Sequence, residues 1–345
     1  MRRVLYVVVA ALGVLVPALL AAAMTAPPVA GAPSRAKLMA EFRRPHNIPF
    51  PANDPYTKAK ADLGKMLFFD PILSTSHRWS CASCHNPSLS WGDGLPRAIG
   101  AANKPLPTRT PTLLNIAWIP LLGWDGKFHS LEQMVFAPIT APANMDGDEK
   151  ELLAALKAIP GYRLAFAKAF SNGAITRVHV EQAIATYERT IVSGTAPFDR
   201  WIDGDKHAIG AAAKRGFDLF TGKAQCSQCH RGWNFTEGDF YDIGEAKADD
   251  LGRGAIFKNS LKLQHAFKVP TLRDVARRGP YMHDGSVKTL ADVIELYNRG
   301  GIDRPSRSEL IKPLHLTARE KSDLIAFLKT LTAPARPYPV PSLPR

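Results

Sequence analysis

A chain of 345 residues has room for two domains of ordinary size, each with its own buried core. Its 44 Lys and Arg residues outnumber 31 Asp and Glu residues and give a formal net charge of +13. These positive residues are scattered, and no Lys/Arg run interleaved with aromatic residues indicates binding to nucleic acid. A solvated basic surface explains the charge, and an acidic protein partner is the alternative.

The first 32 residues have the pattern of an export signal. A positive start at residues 1–3 precedes an almost uninterrupted apolar run at residues 4–23, and residues 30–32 form a small-x-small cleavage site. Cleavage near residues 21–23 is an alternative, and so is an uncleaved membrane anchor, which the length of the run allows. In each case the sequence predicts an exported, periplasmic protein.

All four cysteines lie in two copies of one short motif, Cys-x-x-Cys-His. In this motif the two thiols bond covalently to a haem and the histidine ligates its iron. A redox dithiol or half of a zinc site is the alternative, but a histidine directly after each pair, with no cysteine to spare, suits neither. The sequence therefore predicts two covalent c-type haems, held by Cys81, Cys84 and His85 and by Cys226, Cys229 and His230.

The distance between the two motifs along the chain suggests one haem per domain. We expect an N-terminal haem domain at residues 33–195 and a C-terminal haem domain at residues 196–333. The seam between them is predicted within residues 193–197, and a Pro-rich surface tail at residues 334–345.

The hydrophobic spacing favours helices over strands. In chain order the predicted helices are residues 149–158, a stripe from Val180 to Ile191, residues 211–220, residues 289–300, and a segment from the capping box at Thr317 and Glu320 to Leu331. The loops at residues 86–115 and 231–268 are long and each follows a haem motif, so we expect them to wrap around the haems. The predicted fold class is mainly α.

Further short motifs accompany the haem motifs in a fixed order from about residue 55 to residue 332. They are GKMLFFD at 64–70, LS at 73–74, PTLLN at 111–115, WDG at 124–126, SLE at 130–132, PI at 138–139, VPTLR at 269–273 and PYMHDG at 280–285. Together they resemble the bacterial dihaem cytochrome c peroxidases and their MauG-like relatives. The resemblance implies two cytochrome-c-like domains joined by long loops, with a peroxide-binding haem in the first and an electron-transfer haem in the second.

Tyr297 is the expected distal ligand of the second haem. Methionine-ligated members of the family carry that ligand fourteen residues beyond the histidine of the last motif, and here that position is Tyr297. It shares a helical stripe with Leu290, Val293 and Ile294. A phenolate stabilises ferric and higher iron states, whereas a thioether stabilises ferrous iron. The resemblance to the MauG-like branch implies ligation by Tyr297, and a core tyrosine with a hydrogen-bonded hydroxyl is the alternative.

Two further positions bear on how the haems work. Trp124 stands where the family places an indole between the haems, which implies an electron bridge, with a core tryptophan as the alternative. Family members that rest inactive close the first haem with a loop histidine, but that position is Ala101 here, and no histidine lies between residues 86 and 128. We therefore expect a five-coordinate first haem that needs no reductive activation.

The open face of the first haem departs from the family pattern. The resemblance places Pro138 there, with a glutamine four residues before it and a glutamate six residues after it, but this chain has Met134 and Asn144. Cleavage of peroxide requires a group that moves a proton, and Asn144 can hydrogen-bond but cannot transfer one. A weak peroxidase is one interpretation, and the candidates for compensation are Gln133, Asp146 and Asp148.

A calcium ion between the haems is also implied by the resemblance. Its ligands in the family are backbone carbonyls, which here belong to Arg278 and Pro280, and an asparagine from the first domain. Since the asparagine position is Arg109 in this chain, Asn103 is the candidate substitute. His283, although it lies in a conspicuous motif, is predicted to be structural.

The residues and the resemblance together predict an exported, MauG-like dihaem oxidoreductase. It would use hydrogen peroxide to form high-valent iron at the His85 haem, share the charge through Trp124 with the second haem, and oxidise a partner protein or a small redox donor. One alternative is a peroxidase that detoxifies peroxide with a cytochrome or cupredoxin donor. Another, of a different class, is a dihaem electron carrier without turnover.

Overall fold

The computed structural model describes residues 35–344, so the predicted export signal at residues 1–32 lies outside the described residues. Within 35–344 no helix is long and apolar enough to cross a membrane. The α-helices of this part are Arg35–Glu41 (α1), Lys58–Phe69 (α2), Cys81–Cys84 (α3), Leu131–Thr140 (α4), Glu149–Ala158 (α5), Pro160–Ala169 (α6), Arg177–Arg189 (α7), Pro197–Ile202 (α8), Ala211–Thr221 (α9), Leu290–Arg299 (α10) and Ala318–Lys329 (α11). The mainly α fold is confirmed.

Short elements fill the connections. The only strands among the described residues are Phe240–Tyr241 (β1) and Phe267–Lys268 (β2), which pair antiparallel with Phe240 opposite Lys268. Single 3₁₀ turns occur at Pro71–Leu73, Pro87–Leu89, Ile116–Trp118, Cys226–Gln228, Arg253–Ala255, Leu261–Leu263 and Val275–Arg277. The fold of the described residues therefore depends on packing between helices, and a few short elements hold the long loops in place.

The helices that the sequence predicts begin and end at recognisable caps. Thr317 Oγ1 accepts a hydrogen bond from Glu320 N, and the Glu320 carboxylate accepts one from Thr317 N at 2.8 Å, so the predicted capping box opens α11. Thr289 and Asp292 form the same device at the start of α10. At its other end Gly300 takes a φ of +85°, a left-handed conformation that glycine adopts without strain and that stops the helix.

Each half of the molecule is organised by one close helix crossing at a glycine. A Cβ atom on Gly64 of α2 would lie 1.8 Å from the Ala183 carbonyl oxygen of α7. A Cβ atom on Gly216 of α9 would lie 2.0 Å from the Asp323 carbonyl oxygen of α11. Both helix pairs therefore approach more closely than any side chain allows. The repeated crossing fits two cytochrome-c-like units.

Two hydrophobic cores surround these crossings. The first contains Leu63, Leu67, Phe68, Phe136, Tyr162, Phe166 and Ile184, and its last member along the chain is Ile191. The second contains Phe198, Phe217, Phe220, Phe235, Ile294, Leu324 and Phe327. The change from one core to the other falls at the expected seam, while the domain limits themselves stay a prediction.

Both ends of the described chain cross between the halves. Phe42 packs in the second core, where its ring lies 5.1 Å from that of Phe235, although the sequence places its segment with the first domain. Tyr338 of the expected surface tail returns to the first core. Its ring stacks on Phe69, and its hydroxyl lies 2.6 Å from that of Tyr187. Aromatic burial at Phe42 and Tyr338 therefore ties the two halves together.

Arg273 is expected to be a strong determinant of stability. Its side chain is 0% exposed, and its guanidinium lies 2.7 Å from Asp199 and donates to the Trp233 carbonyl. Replacing Arg273 with methionine leaves the buried Asp199 carboxylate without its closest cation. We expect a loss of about 3–5 kcal/mol in the free energy of unfolding, measured by denaturant titration of the holoprotein.

Arg215→Met is the matched control for this prediction. Arg215 also pairs with an aspartate, Asp323, at 2.8 Å, but its side chain is 45% exposed. Solvent screens such a pair, so its loss should remove no more than about 1 kcal/mol. Equal effects of the two substitutions would contradict the assignment of Arg273 to a buried, desolvated ion pair.

Candidate active site

One continuous cavity of about 920 Å³ runs through both halves of the molecule. Both long loops and helices from each half line it, as expected for loops that enclose a cofactor. Pro280 and the further candidates Asn103, Gln133, Asp146 and Asp148 do not line it. The predicted residues that do are Cys81, Cys84, His85, Trp124, Met134, Pro138, Asn144, Cys226, Cys229, His230, Arg278 and Tyr297.

The four cysteines have the character of haem-attachment thiols. None forms a disulfide. Burial raises the pKa of Cys84 and Cys229 to about 11 and that of Cys226 to about 12, and it also raises the pKa of Cys81. Catalytic dithiols and zinc ligands depend on a lowered pKa, because the thiolate is the reactive form. The environment of these thiols therefore argues against both alternatives.

Each motif histidine is oriented by a backbone carbonyl. His85 Nδ1 lies 3.2 Å from the Trp91 oxygen, and His230 Nδ1 lies 2.8 Å from the Phe235 oxygen. Because a carbonyl oxygen only accepts, Nδ1 must carry the proton in both rings, which leaves Nε2 free for a metal. Burial lowers the pKa of both rings, that of His230 to about 4, so both are neutral at pH 7.

Tyr297 projects from α10 into the second half of the cavity. The predicted stripe is correct, since Leu290, Val293 and Ile294 line the same cavity. Burial raises the pKa of Tyr297, and the nearby Cys226 and Cys229 raise it further, which places the phenol beside the second haem motif. Within residues 35–344 no hydrogen bond of its hydroxyl occurs, unlike the hydroxyl of Tyr241, which donates to Glu237 at 2.7 Å.

Trp124 lies where the two halves meet. Its indole Nε1 donates to the Arg109 carbonyl at 3.0 Å, and its own carbonyl accepts from Lys268 N at 2.9 Å. Trp124 lines the same cavity as the two haem motifs. The fixed indole therefore has a position suited to an electron bridge.

The face of the first half around α4 matches the expected distal residues. Met134 and Pro138 lie one helical turn apart on α4 and face the cavity, together with Asn144 from the following loop. The Asn144 carbonyl accepts from Ala101 N at 2.6 Å, so the loop without a histidine lies directly against it. Gln133 is exposed and accepts from His129 N.

The three residues that the sequence offers as compensation for Asn144 do not face the cavity. Gln133 precedes Met134 by about 100° of helical rotation, so the two side chains point in different directions. Asp148 caps the start of α5 by accepting from Glu151 N, and Asp146 is exposed. None of the three lines the cavity.

A carboxyl group that the sequence analysis missed does line the cavity. Glu188, in the last turn of α7, lies near Cys81 and shares the cavity with Asn144 and Pro138. Burial raises its pKa to about 8, although Arg189 lowers it, and Glu132 of α4 raises it further. Glu188 therefore holds a proton at neutral pH. In the sequence Glu188 stands out only as an acidic residue one turn after Ile184 on an amphipathic helix.

Two buried guanidinium groups were missed as well. Arg109 and Arg278 line the cavity, and the buried Nε of Arg278 has no hydrogen-bond partner within residues 35–344. An unpartnered cationic donor next to apolar walls calls for an anionic group. Haem propionates are such groups, so the donor set of two thiol pairs, two oriented imidazoles and the unpartnered Arg278 Nε fits two haems.

The structure places two of the expected calcium ligands, the Arg278 carbonyl and Asn103. The Arg278 carbonyl oxygen accepts from Arg109 Nη2 at 2.9 Å. Asn103, the candidate substitute, lies in an exposed turn outside the cavity lining. One expected calcium ligand is therefore bonded to a guanidinium, and the candidate substitute lies outside the cavity.

His283 has the structural role that the sequence predicts. Its Nε2 lies 2.8 Å from Asp250 and its Nδ1 3.3 Å from Glu245, and its ring stacks on Phe267 at 3.6 Å. Burial lowers the pKa of His283, but the two carboxylates outweigh it and the net shift is upward. The His283 imidazole thus joins the last motif to the loop at residues 231–268.

Comparison with known proteins finds relatives over most of the chain. The sequence profile of the di-haem cytochrome c peroxidases matches residues 58–207. The methylamine utilization protein MauG of Methylorubrum extorquens is 51% identical over 311 residues, which are 90% of this chain and 88% of the relative. Cytochrome c551 peroxidase of Nitrosomonas europaea is 34% identical over 86% of each chain. The crystal structure of a MauG-like protein associated with microbial copper homeostasis has a TM-score of 0.78 at 30% identity and covers 84% of this chain and 94% of that one.

Proposed function

The chain belongs to the di-haem cytochrome c peroxidase family and is a MauG-like dihaem oxidoreductase, and on this premise we propose that it uses hydrogen peroxide to oxidise a partner protein. The observation that carries the proposal is the single cavity that joins both haem motifs, with Trp124 between them and Tyr297 in the second half. The 51% identity to MauG, against 34% to a cytochrome c551 peroxidase, supports a protein substrate over a small redox donor.

Two haems would be held by the chain's own residues in equivalent ways. Cys81 and Cys84 would attach the first and His85 would ligate its iron, while Cys226, Cys229 and His230 would do the same for the second. When bound, the haems supply the redox chemistry with peroxide that no side chain here can perform. The carbonyls of Trp91 and Phe235 hold the imidazoles in the tautomer that this ligation requires.

Tyr297 is proposed as the distal ligand of the second iron. Two observations support this role. The phenol faces the cavity beside Cys226 and Cys229, and its hydroxyl has no hydrogen-bond partner within residues 35–344. A phenol oxygen that no other group engages is available to coordinate an iron. A phenolate would also stabilise the oxidised states of this iron.

The first iron is proposed to be open on the side of Met134, Pro138 and Asn144. Asn144 can hydrogen-bond to peroxide, and Glu188 would move the proton between the two oxygens. A protonated carboxyl can accept a proton on its carbonyl oxygen while it donates another from its hydroxyl. Trp124, fixed by its bond to the Arg109 carbonyl, would carry electrons between the two haem sites. Calcium has no part in this proposal because Arg109 holds the carbonyl that it would use.

Export to the periplasm is part of the proposal. It rests on the pattern of residues 1–32 and on the two covalent haem motifs, since haem attachment of this type is completed on the exported side of the membrane. The partner is a protein whose identity the chain does not specify. A solvated basic surface, with a formal charge of +13 on the full chain, favours partners with an acidic surface.

The test is to add one equivalent of hydrogen peroxide to the diferric holoprotein without any donor. We expect both haem spectra to change at once and to return slowly, because two linked sites share the two oxidising equivalents. Turnover that requires a reduced cytochrome or cupredoxin would instead support detoxification. A spectrum that peroxide leaves unchanged would support the electron carrier and reject the proposal.

A further inference from the structure

Arg109 connects the two halves of the molecule at two points, and a third bond joins it to Trp124. Its backbone N donates to the His283 carbonyl at 2.9 Å, and its own carbonyl accepts from the indole of Trp124. Its Nη2 donates to the Arg278 carbonyl at 2.9 Å. The residue is only 8% exposed, so this cation lies inside the junction between the two haem motifs.

The surroundings of Arg109 are already positively charged. Burial lowers the pKa of Arg278 to about 10, and the nearby positive charge of Arg109 contributes to this shift. The acids that face the two guanidinium groups have other donors of their own. Asp93 accepts from Thr110 at 2.7 Å, and Asp274 accepts from Ala333 N at 3.0 Å. The guanidinium of Arg109 therefore already supplies a positive charge at the position where the resemblance implies a calcium ion.

We propose that the guanidinium of Arg109 takes the place of the calcium ion expected between the two haem sites, and that this protein holds no calcium there. The argument rests on the bond from Arg109 Nη2 to the Arg278 carbonyl, on the burial of Arg109, and on the exposed position of Asn103. A covalently held cation does not exchange with solvent. The junction around Trp124 should therefore be insensitive to chelators.

The first measurement uses the wild-type holoprotein as isolated. We expect well below one calcium ion per chain by elemental analysis, and haem spectra and Tm unchanged after dialysis against EGTA. About one calcium ion per chain, whose removal lowers Tm or alters the spectra, would overturn the proposal. This measurement involves no peroxide, so its outcome is separate from that of the proposed function.

The second measurement uses Arg109→Asn, which removes the cation and offers an amide oxygen at the same position. Loss of the bond to a buried carbonyl should lower Tm by about 4 °C or more in calcium-free buffer. Millimolar CaCl₂, but not MgCl₂, should bind at about one ion per chain and recover most of the loss, because a ligand of the folded state stabilises it.

Two matched variants complete the design. Arg109→Lys keeps a positive charge and should stay free of calcium. Arg97→Asn alters a 40% exposed arginine side chain, 3.9 Å from Asp284, and should behave like the wild type. If Arg109→Asn matches the wild type in Tm and binds no calcium, Arg109 does not act as the cation and the proposal fails. If Arg109→Asn does not fold, the calcium content of the wild-type protein still tests the proposal.

Discussion

Replacement of Tyr297 with methionine is expected to turn the second haem into a readily reducible low-spin site. A thioether favours ferrous iron, whereas a phenolate favours ferric iron, so the reduction potential of this haem should rise. Axial ligands set haem potentials over a range of about 0.8 V, and a rise on the order of 100 mV or more is expected. Spectroelectrochemical titration of the holoprotein measures the shift, and ascorbate should reduce the second haem of the variant only.

The same substitution should remove the response to peroxide in the absence of a donor. An iron that favours its ferrous state cannot share the oxidising equivalents, so the second haem would no longer change when one equivalent of peroxide is added.

Tyr241→Phe is the control for Tyr297. Tyr241 also lines the cavity, but its hydroxyl is satisfied by Glu237 at 2.7 Å. Its replacement should leave the potentials of both haems unchanged. If the titration of Tyr297→Met overlays that of the wild type, Tyr297 is not a ligand and is only a core tyrosine.

Replacement of Glu188 with glutamine is expected to slow the reaction with peroxide by about 10²-fold or more, the range for loss of a positioned proton-transfer group. Glutamine keeps the size and hydrogen-bonding capacity of the side chain but has no proton to transfer. Stopped-flow mixing of the diferric holoprotein with excess peroxide gives the second-order rate constant. A rate constant equal to that of the wild type would reject the role of Glu188.

The pH dependence gives a second readout for Glu188. Burial raises its pKa to about 8, so the protonated form that can both accept and donate is lost as pH rises through 8. The wild-type rate constant should therefore be flat near pH 6–7 and fall above about 8, while that of Glu188→Gln should not show this step. The charged groups that surround Glu188 are Arg189 on the same helix and Glu132 on α4.

The raised pKa of Glu188 also makes stability depend on pH. The pKa of Glu188 is higher in the folded chain than the ordinary value of 4.5, so the folded state loses stability as pH rises from 4.5 towards 8. The glutamine variant escapes this loss, so its advantage in the free energy of unfolding should grow across that window.

A role in proton transfer also predicts that Asn144→Glu partly restores the rate of Glu188→Gln, because it returns a carboxyl group to the same cavity.

The sequence predicts those parts of the fold that local interactions determine. The capping residues Thr289 and Thr317 and the stop at Gly300 depend on bonds within a few residues, and the helices they bound are found as expected. Helix α4 was not predicted, because Pro138 lies inside it and proline is ordinarily read as a helix breaker. Helix α2 was missed because Gly64, which weakens the helical pattern, serves the crossing with α7.

The same distinction holds for the site. The haem motifs, Tyr297 and Trp124 could be found because each has a motif or a helical stripe that marks it. Glu188 and the guanidinium groups of Arg109 and Arg278 could not, because their importance comes from being buried next to residues distant in sequence. The Arg109 side chain, for instance, contacts the carbonyl of a residue in the other half of the molecule.

Electron paramagnetic resonance of the diferric holoprotein tests most directly whether the two irons differ in coordination. Neutral His85 with an open opposite face predicts a high-spin ferric signal from the first haem, and His230 with Tyr297 predicts a separate low-spin signal from the second. Both signals should be present in comparable amounts at neutral pH. A spectrum with low-spin signals alone, and no high-spin component, would mean that neither iron is open to peroxide and would contradict the proposed function.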